Sequence, residues 1–274
     1  MSRIKFEGGS HFYTHEGKPQ HDADLRVARK EKLYRSITSI DKDEFVNEFL
    51  QNWKVEQACY AAALSPRQPH ESEDDYAQRV YELSLEYSKN AAEFGSKVHD
   101  SIEHYPMYPL DDTIKPWFDE YAKWHEENVE DIVASEKVVV DHGIGVAGRL
   151  DKILVIKGVG RCVVDVKTQN LKKDDKGKKK VNWYDSWVRQ LSFYAVCDAK
   201  ETKSFPASIP RCASLVIDSN EPERPFLRVW DEDLVHAAYK QVVVAAWRYY
   251  TKKKFFPHKY GMFDIAFTVP MPNE

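Results

Sequence analysis

Three charged residues in the stretch VAGRLDKILVIKGVGRCVVDVKT, residues 146–168, have types and spacing suited to chemistry: Asp151, Asp165 and Lys167. Each borders or interrupts an apolar run that reads as a buried strand. A charge in such a place is costly unless something pairs with it. A hairpin turned at KGVG, residues 157–160, would bring Asp151 and Asp165 together near one end of a sheet. Two adjacent carboxylates repel, and a divalent cation with oxygen ligands from both relieves that repulsion. Alternate residues of a strand face the same way, so Lys167 would lie over Asp165. A metal held by two acids can bind a phosphodiester oxygen and activate a water. The lysine could then position that water.

The elements around these residues follow from periodicity. KFEGGSHFYTHEGKPQ, residues 5–20, reads as strands and turns, and YRSITSI as a short β-branched strand. A helix is expected from about Asp41, capped by Asp41 or Asp43, with Phe45, Phe49 and Trp53 at helical period. SPRQPH, residues 65–70, breaks the pattern. A longer helix runs from about Glu73 with an apolar stripe of Tyr76, Val80, Leu83, Tyr87, Ala91, Val98 and Ile102, and Gly95 is placed to bend it. YPMYP ends it. Residues 112–130 form another helix with Trp117, Tyr121 and Trp124 inward.

SEKVVVDHGIGVAG and the motif-bearing stretch after it read as an antiparallel meander. A helix with Trp187, Leu191, Tyr194 and Ala195 follows. ASLVIDS and PFLRVW are short strands. DEDLVHAAYKQVVVAAWRYYTKKK is a helix with an acidic start and a basic end. The order predicts one α+β domain over residues 1–274: a mostly helical part, 1–130, and a sheet-containing core, 131–274.

Composition narrows the class. The chain has 274 residues, 42% hydrophobic and 31% charged, enough to bury a core without disulfides. Its four cysteines, Cys59, Cys162, Cys197 and Cys212, form no C-x-x-C pair, which disfavours a zinc knuckle. A reducing, cytoplasmic setting is expected. The N-terminus shows no apolar signal core, and no stretch is long and apolar enough for a membrane span. The net charge of −4 excludes a uniformly basic coat. LKKDDKGKKK, residues 171–180, nevertheless holds six lysines, and KKK at 252–254 with Lys259 makes a second basic patch. Taken alone each reads as a solvated surface.

G-R-L-D at 148–151 followed by D-V-K-T at 165–168 resembles the PD-(D/E)XK nuclease superfamily. R-Q-L-S-F-Y at 189–194 looks like the Q-x-x-x-Y element of its RecB-like branch, with Gln190 and Tyr194 four residues apart. F-G-S-K-V-H at 94–99 resembles the branch's helical G-x-x-x-H element. Glu136, opening SEKVVV, stands where the branch often has a glutamate. The order His99, Glu136, Asp151, Asp165, Lys167, Gln190, Tyr194 matches the branch over residues 90–200. LYRSITSI, followed by NWKVEQACYAAAL, looks like the S-x-T element of phage-type exonucleases and the mitochondrial genome-maintenance exonuclease. Arg35 stands where that element often has proline.

The resemblance implies a restriction-endonuclease-like core, a small mixed sheet flanked by helices. It implies Mg²⁺ or Mn²⁺ held by Asp151, Asp165, His99 and the Val166 carbonyl, with Lys167 orienting the attacking water and Glu136 beside the site. It implies that Gln190 and Tyr194 hold the strand being cut and that Thr168 contacts a phosphate. Trp183 and Tyr184 could stack on bases while Lys178, Lys179 and Lys180 follow the backbone. The absence of a late cysteine cluster predicts no iron–sulfur centre, unlike some CRISPR-adaptation nucleases. The implied activity is a metal-dependent DNA exonuclease acting on single strands or ends in recombination, repair or replication. A phage or bacterial setting, in the host cytoplasm if phage-encoded, and a single-strand annealing or single-strand-binding partner are implied too. A structure-selective endonuclease or nickase, or a non-catalytic DNA-binding recombination accessory, remains an alternative.

Overall fold

The computed structural model describes residues 12–46, 48–107 and 111–257, with the side chains of 49 and 87–91 set aside. Strand expectations over residues 5–11, the helical positions Phe49, Tyr87 and Ala91, the end of YPMYP, and Lys259 lie outside the described residues.

A mixed sheet forms the centre. β1 (Phe12–Tyr13) and β2 (Pro19–Gln20) make a small hairpin, and β3 (Tyr34–Ser36) pairs with β1. The long strands β4 (Val129–Asp141), β5 (Val146–Ile156) and β6 (Gly160–Gln169) form the expected antiparallel meander. β7 (Arg211–Asp218) lies parallel to β6, and β8 (Phe226–Val229) closes that edge antiparallel. Among the described residues the mixed sheet has eight strands, because β1–β3 join the core through a parallel contact of β3 with β5.

That contact splits one edge of β5. β3 pairs with Val146 and Ala147, whereas β6 pairs with β5 from Ile156 back to Lys152. Residues 148–151, the GRLD stretch, lie between the two partners. The sheet forks there, and the fork opens the ground on which the site stands.

Helices cover both faces. α1 (Leu25–Glu31) and α2 (Ile37–Glu44) precede α3 (Glu48–Leu64) and α4 (Glu73–Glu103). α2 starts four residues earlier than expected. Ser36 caps it, accepting from the Ser39 amide at 3.2 Å, so SITS is a strand end plus N-cap. The single helix expected through Phe45 and Trp53 is two, divided where Phe45 turns extended. α4 begins as expected: Ser72 accepts from Asp75, and three acids fill its first turn. It is helical through Gly95, which does not interrupt it.

α5 (Lys115–Asn128) buries Tyr121 and Trp124 against the sheet. α6 (Asp185–Glu201) and α7 (Glu232–Lys253) pack on the opposite face with Leu150 and Ile153. α6 is also tied to β6 by charge. Asp198, fully buried, accepts from Arg161 Nε at 3.0 Å and Nη2 at 2.8 Å. A two-point guanidinium–carboxylate contact holds orientation as well as distance.

Candidate active site

β4 and β5 both change face at the same level. Leu150 and Ile153 join one core cluster although they stand at an odd offset of three positions, and Leu154 and Ile156 join the other. On β4, Ala134 and Val139 likewise share a cluster across an odd spacing. The ladder pairs Ser135 with Lys152 and Lys137 with Leu150, so Glu136 stands opposite Asp151 where the faces change. Glu136 has φ +48°, a left-handed conformation that a strand residue adopts only at a cost. The distortion turns two acids into one space.

α4 supplies the third group. His99 Nδ1 lies 3.8 Å from Asp151 Oδ2, and ligand atoms of His99, Glu136 and Asp151 all fall within 4.8 Å of one another. The Val166 backbone ties the cluster together: its amide donates to Asp151 Oδ2 at 2.7 Å, and it also hydrogen-bonds His99. Glu136 is braced from the rim by Arg149, at 2.7 Å.

Asp165, 1% exposed, faces Lys167. Lys167 Nζ donates to Asp165 Oδ1 at 2.8 Å and lies 2.7 Å from Oδ2. The Oδ2 contact lacks hydrogen-bond geometry, so that buried oxygen has no hydrogen-bond partner. Lys167 Nζ also lies 3.5 Å from Gln190 Oε1. Gln190 Nε2 in turn donates to the Tyr194 hydroxyl at 3.0 Å.

Burial and Lys167 set the electrostatics of the site. Burial raises the Asp151 and Asp165 carboxyls above their ordinary range, although Lys167 pulls both back. Burial and then the Asp151 charge push Glu136 up to about 7. Burial and then Lys167 hold His99 below the usual imidazole value, leaving a neutral ring able to ligate. For Lys167 burial acts downward, but Asp165 and Asp151 outweigh it and keep the ammonium charged. Two half-buried carboxylates, the buried Asp165 with one oxygen outside any hydrogen bond, and a neutral imidazole fit a hard divalent ion.

The other expected contacts divide. Thr168 is half-buried on β6, facing α4, where its Oγ1 would meet a Cβ on Gly95 at 3.0 Å. Tyr194 is 2% exposed and sits beneath the site. That burial sets Tyr194 back from the surface, and its hydroxyl accepts from Gln190 Nε2. Trp183 packs on the core, edge-on to Trp187 and Trp230, with the Arg228 guanidinium 5.5 Å from its ring centroid. It is therefore not a free stacking platform. Tyr184 precedes α6 and is half-buried beside Trp187.

Lys178 and Lys180 are exposed. Lys179 is not available as a backbone contact. Its ammonium pairs with Asp218, with Glu223 at 2.6 Å and with Glu221 at 2.9 Å. Sequence reading also missed Arg149, although it lies inside GRLD, and the exchange of hydrogen bonds between Gln169 and Asn182.

The fold and this site define a nuclease of the PD-(D/E)XK type. The profile of the PD-(D/E)XK nuclease superfamily matches residues 107–258, more than half of the chain, and the chain belongs to that superfamily. No curated protein is significantly similar to it. Among solved structures it is similar to an alkaline exonuclease from Laribacter hongkongensis, at 12% identity and TM-score 0.37, covering 81% of this chain and 90% of that one. It is also similar to a candidate exonuclease from Eubacterium rectale, at 12% identity and TM-score 0.41, covering 92% of this chain and 93% of that one. Among the described residues no helix is long and apolar enough to cross a membrane.

Proposed function

We propose that the protein is a divalent-metal-dependent deoxyribonuclease that removes nucleotides from DNA ends or single strands. The observation that carries this is the position of Lys167. Its ammonium is held between the Asp165 carboxylate and Gln190, beside the His99–Glu136–Asp151 cluster. His99, Asp151, Asp165 and the Val166 carbonyl would hold Mg²⁺ or Mn²⁺, with Glu136 beside them. The ion would supply Lewis acidity toward a phosphodiester oxygen.

The chain's own groups do the rest. Lys167 orients a water and offsets negative charge growing on the phosphorus. The water oxygen attacks phosphorus and a P–O ester bond breaks. Glu136, which holds its proton to near neutral pH, is placed to exchange a proton at the site. Gln190, supported by Tyr194, orients Lys167 and is the group of that pair able to touch a strand. Work in recombination, repair or replication, a phage or host-cytoplasmic setting, and a single-strand annealing or single-strand-binding partner belong to this same reading.

The test is cleavage of linear single- and double-stranded DNA, labelled separately at each end, with Mg²⁺, Mn²⁺ or chelator and beside Lys167→Ala. Metal-dependent loss of nucleotides from an end, absent in the variant, supports the proposal. Nicking of covalently closed circles instead assigns an endonuclease. Binding without cleavage in any metal assigns an accessory protein.

A further inference from the structure

The lysine-rich segment between the catalytic strand and α6 is a built hairpin. Its neck is closed where Gln169 Nε2 donates to the Asn182 carbonyl at 2.9 Å and the Asn182 amide donates back to Gln169 Oε1 at 2.8 Å. Above the neck Lys173 and Lys179 form an antiparallel bridge. At the tip Asp174 Oδ1 accepts from the Lys176 and Lys178 amides, at 2.9 and 2.8 Å, and Gly177 takes φ +76°. That conformation suits glycine.

The six lysines fall into two sets. Lys179 is turned inward onto Asp218, Glu221 and Glu223, and Lys173 lies 3.3 Å from Glu221. Asp218 is itself buried and accepts from the Leu171 and Asn220 amides, so the anchor reaches the end of β7. The remaining four, Lys172, Lys176, Lys178 and Lys180, are exposed and form no ion pair among the described residues. The run KKK at 178–180 thus places one pin between two free cations, as alternation along a strand requires.

Position gives the exposed set a use. The hairpin leaves β6 two residues after Lys167, and its neck closes at Asn182, eight residues before Gln190; Lys167 and Gln190 meet at the site. Lys172 follows Lys167 by five residues, at most ~18 Å of extended chain. That span covers only a few nucleotides.

We infer that this hairpin is a preformed clamp for the phosphates of the nucleic-acid strand at the active site. Lys172, Lys176, Lys178 and Lys180 are its phosphate contacts, and Lys179 is a positioning residue that holds them in place. The inference rests on the nuclease reading above. Four ammonium groups on an ordered scaffold lose less freedom on binding than four on a loose loop. Each contact made to a single strand should contribute about 0.7 to the slope of log K against log salt.

The experiment measures binding of a fluorescein-labelled single-stranded DNA by anisotropy, from about 50 to about 200 mM salt, with Ca²⁺ present and in the Lys167→Ala background. Compared are the intact hairpin, the quadruple variant Lys172, Lys176, Lys178 and Lys180→Gln, and Lys179→Met and Lys179→Arg. The quadruple variant should bind more weakly, with a slope shallower by roughly 3 units, the sum of four such contacts. Lys179→Met should weaken binding although all four contact lysines remain, and Lys179→Arg should recover most of it. An unchanged slope in the quadruple variant, in a protein that binds DNA, overturns the clamp and leaves the nuclease reading standing. No DNA binding by the intact hairpin overturns both. Full affinity in Lys179→Met overturns the positioning role.

Discussion

A Cβ on Gly95 would stand 3.0 Å from Oγ1 of Thr168, so α4 crosses β6 at close range, with a side chain there crowding the threonine. One helical turn later the same helix delivers His99 to Asp151. The glycine sets how closely the helix approaches and thereby where the imidazole falls. Gly95→Val should lift α4 locally while leaving the sheet intact. The expected result is a folded protein whose affinity for Mn²⁺, measured by calorimetry, falls at least tenfold. Unchanged Mn²⁺ binding would show that the close approach does not position His99.

His99 itself should matter for ion binding more than for folding, since it is partly exposed. An ion that binds only the folded state raises stability by RT ln(1 + [L]/Kd), about 2.7 kcal/mol at a hundredfold excess over Kd. The native protein should therefore gain several degrees in Tm with millimolar Mn²⁺. His99→Ala should keep its Tm in chelator and lose most of that gain. An equal gain in both would remove His99 from the ligand set.

Lys167 joins two arguments. Asp165 is 1% exposed, and its one hydrogen-bonded cation is Lys167. Removing the ammonium leaves a buried carboxylate uncompensated, a change that costs up to ~3–5 kcal/mol in a fully buried pair and less here, where Lys167 is 23% exposed. Lys167→Met should abolish cleavage and also lower Tm in chelator. Lys167→Met combined with Asp165→Asn should recover much of the Tm and none of the activity. If the double variant is no more stable than the single one, the lost stability has another origin.

Much of this site was legible in the sequence because its members lie in order along consecutive elements. The hairpin, the strand-borne D-x-K and the G-x-x-x-H turn of α4 all rest on local periods of two or four residues. The change of face at Glu136 and Asp151 was not legible, because it depends on how two strands pair. Nor was the inward turn of Lys179, whose partners Asp218, Glu221 and Glu223 arrive about forty residues later. Ser36 read as a strand residue because its β-branched neighbours Ile37 and Thr38 mask a helix start that its hydroxyl caps. The burial of Tyr194 follows from Gly148, where the sheet forks.

Gly148 is the second glycine whose missing side chain shapes the site. A Cβ there would meet Tyr194 Cε1 at 2.8 Å and Ile37 Cγ2 at 2.9 Å. Both neighbours are buried, 2% and 1% exposed, so neither can swing away. Gly148→Ala should destabilise by ~1–3 kcal/mol, the usual cost of overpacking. It should also displace Tyr194 and, through it, Gln190. Urea denaturation with cleavage kinetics tests both effects, and a native-like midpoint would mean the fork has slack.

Tyr194 separates support from contact. Its ring fills the fork beside Gly148, and its hydroxyl accepts from Gln190 Nε2 at 3.0 Å. Tyr194→Phe keeps the ring and deletes only the oxygen. Gln190 then loses one partner and turns more freely, which loosens its hold near Lys167, at 3.5 Å. The expected result is a Tm within a degree or two of native, a KM for DNA that hardly moves, and a kcat reduced by about one hydrogen bond's worth, roughly three- to tenfold. Gln190→Ala should lower kcat further and raise KM, because the amide is the less buried member of the pair. A Tyr194→Phe variant that loses DNA affinity while keeping kcat would reverse these roles and place the phenol hydroxyl in contact with substrate.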